Sequence, residues 1–121
     1  VYVCLPEGVY FYNPQKHVLT PVTKGDYRGL VAGSQDFVKT VPVCLILVSD
    51  LAKFKGDDKP QKLLYASLDV GIASQNISVY CAAKGLATVP RAFMDKAGLK
   101  KVLNLKETQE ILLNHPVGYP Q

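Results

Sequence analysis

The chain opens on short apolar runs separated by turn residues, a pattern that predicts a β-meander. Val1 to Leu5 reads as a strand. Pro6-Glu7-Gly8 reads as a turn with glycine placed for positive φ, and Val9 to Tyr12 as a second strand. Asn13-Pro14-Gln15-Lys16 forms the next turn. His17 to Val22 is a third strand, at an edge because Pro21 cannot donate to a ladder. Such a ribbon buries too little apolar area to stand alone and must lie on something else. Asp26 to Val31 reads as a short helix closed by Ala32-Gly33, and Gln35 to Thr40 as one more helical turn, which Pro42 halts. Val43 to Val48 is then apolar at every position, as expected of a strand in the middle of a sheet covered on both sides.

The second half is dominated by one helix. Phe54 to Lys59 is a charged loop. Asp57 and Asp58 suit the positive end of a helix dipole, and Pro60 fits its first position. The helix runs from Gln61 to Lys84, about 36 Å at 1.5 Å per residue, with Gly85 as its C-terminal cap. Ala87 to Ala92 is extended, Asp95 starts a short helix reaching Val102, and Thr108 to Pro116 is the last strand. No internal repeat and no domain boundary is visible. Residues 1–121 therefore read as one α+β domain.

The long helix is apolar or small almost all round, and Ala66, Gly71, Ala73 and Ser74 keep it thin. A helix of that kind is buried on most faces. A chain of 121 residues can hardly surround it. A partner is expected, either a second subunit or other parts of the same protein. Asp69, Gln75 and Asn76 are polar positions in this stripe. They either touch a ligand or partner subunit, or cap neighbouring backbone groups or hydrogen-bond within the core; the second reading is favoured, because no base or nucleophile neighbours them.

Composition narrows the picture. The chain is 48% apolar, too rich for a disordered segment. No apolar run reaches the roughly 18 residues of a membrane span. Fourteen basic and 10 acidic residues give a net charge of +4, with the lysines scattered. A solvated surface is favoured over a nucleic-acid footprint, and neither nucleic acid nor membrane is an expected partner. Cys4, Cys44 and Cys81 sit among apolar neighbours and read as small core residues, so a reducing, cytoplasmic compartment is the default. The chain opens on Val1 within a strand, so its natural N-terminus is expected elsewhere. His17 and His115 have no Ser or Cys partner at a recognisable spacing, and no carboxylate pair or metal-ligand cluster is evident.

Three blocks carry a family resemblance. Asp69-x-Gly71-x-x-x-Gln75-Asn76, followed by Ala82-Ala83-Lys84-Gly85-Leu86-Ala87-Thr88-Val89, resembles the central helix and following turn of nitroreductase-family enzymes. Leu112-Leu113-Asn114-His115-Pro116-Val117-Gly118-Tyr119-Pro120 is similar to that family's last core strand. The meander and Asp36-Phe37-Val38-Lys39-Thr40-Val41-Pro42 resemble the middle of the subgroup related to thiazole/oxazole-forming (SagB-type) dehydrogenases.

The resemblance implies a central sheet flanked by helices, in an obligate homodimer whose core holds the long helix. It implies FMN at the interface, taking hydride from NADH or NADPH and passing it through flavin N5 to a nitro, quinone or similar acceptor. By alignment on Phe93, the stretch lining the isoalloxazine is Val89, Pro90, Arg91 and Ala92, with Arg91 offering its amide to N5 and Ala92 a neighbouring amide. The Arg91 side chain would pair with the cofactor phosphate or an acidic substrate, or else lie solvated at the surface. The family's Arg-Arg-Ser-x-Arg-like and Pro-Ser/Thr-Ala-x-Asn-like stretches do not occur in this sequence, and Ala92 stands where many members have glycine. Charge-assisted contacts are worth roughly 1.5–3 kcal/mol each. FMN is therefore expected to belong to a parent enzyme, of which this chain is the C-terminal two-thirds, and not to be retained by the chain alone. The alternative is a non-catalytic interaction or ligand-binding domain reusing the same half-fold.

Overall fold

The computed structural model describes all 121 residues, Val1–Gln121. Six antiparallel strands form one sheet: β1 (Tyr2–Leu5), β2 (Gly8–Asn13), β3 (Val18–Lys24), β4 (Val43–Asp50), β5 (Ala87–Thr88) and β6 (Gln109–Gly118), in spatial order β3-β2-β1-β4-β6-β5. The meander is continuous with β4 through the β1 register Tyr2↔Ile46 and Cys4↔Cys44, which answers what the ribbon rests on. β3 lies at the edge, as Pro21 demands.

The strand pleat divides the sheet into two faces. Cys4, Val9, Cys44 and Ile46 turn to one face, where α1 (Arg28–Ala32), a 3-10 turn (Asp36–Thr40) and α3 (Lys96–Val102) close a core with Val31, Val38, Leu99, Leu103 and Ile111. Full burial of a side chain such as Ile46, Leu99 or Ile111 stabilises by roughly 1.5–3 kcal/mol. Val43, Leu45 and Leu47 turn to the other face, and α2 (Lys59–Ala83) crosses it.

Helix α2 begins where expected. Asp58 caps it by accepting from the Gln61 amide at 3.0 Å, with Pro60 in the first turn. It ends on Gly85 (φ +67°), with the Leu86 amide bonding back to the Cys81 carbonyl at 2.8 Å. Asp95 caps α3 by accepting from the Gly98 amide. Only Ala66, Val70, Ser74 and Cys81 of α2 are buried, a single stripe along the helix. Leu64, Leu68, Ile72, Val79 and Tyr80 stand 56 to 68% exposed on its other sides, so the chain does not surround its own helix.

Three local readings are corrected. Gly8 does not supply a positive φ; it lies in β2, where a Cβ would sit 2.9 Å from the Thr23 carbonyl oxygen of β3. His17 (φ +52°) belongs to the turn, and β3 starts at Val18. Ala87 to Ala92 is not one extended run: only Ala87 and Thr88 pair as a strand, and Arg91 makes an isolated bridge with Asn114.

Candidate functional site

The stretch Val89–Ala92 follows β5 and crosses the end of β6. Val89, Pro90 and Ala92 are exposed, whereas Arg91 is 7% exposed. The Arg91 side chain takes neither of its two expected roles. Its Nη1 donates to the Val31 carbonyl at 3.0 Å and to Asn114 Oδ1 at 2.7 Å; Nη2 donates to the Ala32 carbonyl at 3.0 Å, and Nε to Gln35 Oε1. Val31 and Ala32 close α1, and the last carbonyls of a helix have no partner within it. The guanidinium thus caps α1 from across the fold. No carboxylate pairs with it. Burial pulls its pKa below the ordinary arginine value, yet a guanidinium stays protonated in a protein.

The main chain of Arg91 is engaged as well. Its amide donates to the Asn114 carbonyl at 2.9 Å, and the Asn114 amide donates to the Arg91 carbonyl at 2.7 Å. The Arg91 N–H expected to face a flavin is therefore committed inside the protein. The Ala92 N–H donates to no acceptor in the chain. Asn114 Nδ2 donates to the Phe93 carbonyl at 3.2 Å, and the Phe93 ring lies over Gly33, where a Cβ would come within 2.5 Å of it. Gly33 has φ +58°, so glycine is required there twice over.

Behind the stretch lies a second polar group that local spacing missed. His115, fully buried on β6, faces α2. The Thr88 hydroxyl donates to the Pro116 carbonyl at 2.8 Å, so the His115 Nδ1–H donates to Thr88 Oγ1 at 3.0 Å. Nε2 then accepts from the Ser74 hydroxyl at 2.7 Å. A Ser–His–Thr series has the outline of an activated nucleophile. Here Ser74 is buried between helix and sheet and lines no cavity, so the series is a structural joint. Burial holds the His115 pKa below its ordinary value, which favours the neutral ring this bonding needs.

Thr88 also lines a cleft of about 400 Å³ with Phe37, Thr40, Pro116 and Tyr119. An apolar groove of about 410 Å³ runs between α2 and the sheet, lined by Val43, Leu45, Asn76, Ile77 and Tyr80 among others. None of Val89–Ala92 lines either space. Asp69, Gln75 and Asn76 are exposed and make no side-chain hydrogen bond, against the favoured reading that they bond within the core.

The cysteines are free and buried. Burial pushes the Cys4 thiol up to about 11 and the Cys44 thiol up to about 12, so both are inert as nucleophiles. No cluster of three or more His, Cys, Asp or Glu could hold a metal. No helix is long and apolar enough to cross a membrane.

Comparison with known proteins follows the same lines. A nitroreductase homologue from Methanocaldococcus jannaschii is 29% identical over 120 residues, covering 96% of this chain and 59% of that protein. The crystal structure of a Ralstonia eutropha protein assigned to the nitroreductases superposes with a TM-score of 0.88 at 29% identity, covering 99% of this chain and 57% of that one. The chain thus spans somewhat over half the length of these relatives. The Escherichia coli microcin synthetase McbBCD complex shares the fold at 20% identity (TM-score 0.84, 99% of this chain and 51% of that one). So does the NADPH:FMN oxidoreductase of Vibrio harveyi at 22% (TM-score 0.67, 78% and 44%). The sequence pattern of the Nitroreductase family matches residues 6–119. With that match over nearly its whole length, on the sheet and central helix described above, the chain belongs to the nitroreductase family.

Proposed function

We propose that these residues form the ring-binding part of an FMN-dependent NAD(P)H oxidoreductase of nitroreductase type, working as a homodimer and reducing a nitro, quinone or similar acceptor. The observation that carries this reading is the unpartnered N–H of Ala92, an exposed residue in the turn that the resemblance assigns to the isoalloxazine. Bound FMN would supply the hydride chemistry, leaving binding, orientation and electrostatics to the protein.

The residues present fit the flavin ring better than its phosphate. Ala92 offers a donor to an acceptor atom on the ring edge. Val89, 43% exposed, and Pro90 offer apolar surface to a ring face. Arg91 contributes no amide, because Asn114 holds it, and no phosphate contact, because its guanidinium already serves Val31, Ala32, Gln35 and Asn114. Its charge still stands next to the turn without a carboxylate to offset it, which favours negative charge nearby. The exposed apolar side of α2, with Asp69, Gln75 and Asn76 along it, supports a second subunit as the partner there.

Flavin fluorescence titration of the purified chain tests this. FMN and riboflavin should bind weakly and with equal affinity, none surviving purification in stoichiometric amount. Ala92→Pro, which removes the N–H, should abolish binding of both. A strong preference for FMN would contradict the ring-only fit. Binding of neither flavin would favour a non-catalytic interaction domain.

A further inference from the structure

Within the proposed ring-binding turn, Ala92 is an exposed residue whose amide has no partner in the chain, and it is flanked on each side by a residue tied to two other elements. Before it, Arg91 is bonded to β6 by both its backbone groups and by Nη1, and to the end of α1 by Nη1 and Nη2. After it, the Phe93 carbonyl is held by Asn114 Nδ2 and the Phe93 ring by Gly33. Two residues on, the Asp95 amide donates to the Leu30 carbonyl at 2.9 Å, a further tie to α1. Asn114 sits at the centre: its two backbone groups and both polar atoms of its side chain all point to the turn, and it is fully buried.

We propose that Arg91 and Asn114 are positioning residues that preset the orientation of the Ala92 amide as the hydrogen-bond donor offered to the flavin ring edge. The inference rests on the flavin reading above and adds how the donor is held. A loop amide left to itself samples many orientations, and a ligand must order it on binding. Here the ordering is done during folding, by bonds that a planar, forked guanidinium can make and an ammonium cannot. The absence of a carboxylate beside Arg91 fits this role, because every acceptor it meets is a neutral carbonyl or amide oxygen belonging to an element that must be joined to the turn.

Backbone ¹⁵N relaxation of the intact 121-residue chain, with and without excess FMN, tests the proposal. Without FMN, the Ala92 and Phe93 amides should be as ordered as those of β6. In Arg91→Lys they should loosen while the α2 amides keep their order. Gln35→Ala removes a single acceptor from an exposed residue, leaves the fold intact, and should loosen them less. With FMN, the Ala92 resonance should shift in the parent chain and shift several-fold less in Arg91→Lys, while FMN-induced shifts elsewhere persist. An Ala92 amide that is already mobile in the parent chain overturns the clamp, as does an undiminished shift in Arg91→Lys. An ordered Ala92 that loosens in Arg91→Lys, in a chain where FMN moves no resonance at all, upholds the ordering and overturns the flavin reading instead.

Discussion

Ser74 on α2 donates to Nε2 of His115 on β6 across 2.7 Å, and this is the one side-chain hydrogen bond between the long helix and the sheet. The two residues lie 41 positions apart, and both are buried. The bond needs a neutral imidazole whose proton is on Nδ1, where Thr88 accepts it.

Acidification should therefore loosen the helix. Burial places the folded pKa of His115 below the ordinary 6.5, so the unfolded chain binds the extra proton first. The stability contributed by neutral His115 is complete above pH 6.5 and is lost as pH falls through the folded value. Thermal melts between pH 7.5 and pH 5 should show a falling midpoint, and His115→Gln should make that dependence shallower. The aspartates held below their ordinary 3.8, Asp26 chiefly by its bond to Arg28, Asp36 by Lys39 and Asp50 by Thr108, act in a lower pH range. The Val1 amino group, pushed below its ordinary 8.0 by burial, acts in the same direction as the histidine, so the difference between the parent chain and His115→Gln isolates His115.

Arg91→Ala should cost about 3–5 kcal/mol in urea denaturation. It strands the Val31 carbonyl and Asn114 Oδ1, leaves the Ala32 carbonyl only its bond from the Gln35 amide, and an unmet buried acceptor costs roughly 1–3 kcal/mol. Arg91→Lys should recover only part of this, since one ammonium cannot reach four acceptors in a fixed plane. A loss within about 0.5 kcal/mol, typical of a surface change, would show that the guanidinium does not join α1 to β6.

Ile72→Glu should separate subunits. Ile72 is 68% exposed on the apolar side of α2, one turn from Leu68 at 56%. Sedimentation velocity should find the parent chain as a dimer and Ile72→Glu as a monomer with unchanged helix content. A parent chain that remains monomeric over its whole soluble range would sink the homodimer and leave the helix face to another part of the family domain.

What was legible in the sequence was local. Turn residues set the meander, β-branched apolar residues marked β4, and Asp58, Pro60 and Gly85 bounded α2 to within a few residues, because caps and turns act over four or five positions. Long-range partners were not legible. Arg91 looked like either a phosphate ligand or a surface charge. Its acceptors Val31, Ala32 and Gln35 lie 56 to 60 positions earlier and Asn114 lies 23 later, and only the sheet order brings them together. The same distance hid Ser74 from His115. Resemblance singled out the Val89–Ala92 turn after the long helix, but it could not tell which of two neighbouring amides the fold leaves unpaired.

The most direct test restores the rest of the family domain. Residues 1–121 are fused behind the N-terminal part of the Ralstonia eutropha relative, whose fold they match with a TM-score of 0.88 over 99% of their length. The account predicts a yellow dimer absorbing near about 450 nm that NADH or NADPH bleaches without oxygen, and that Ala92→Pro leaves colourless. A folded dimer that stays colourless in excess FMN would contradict it.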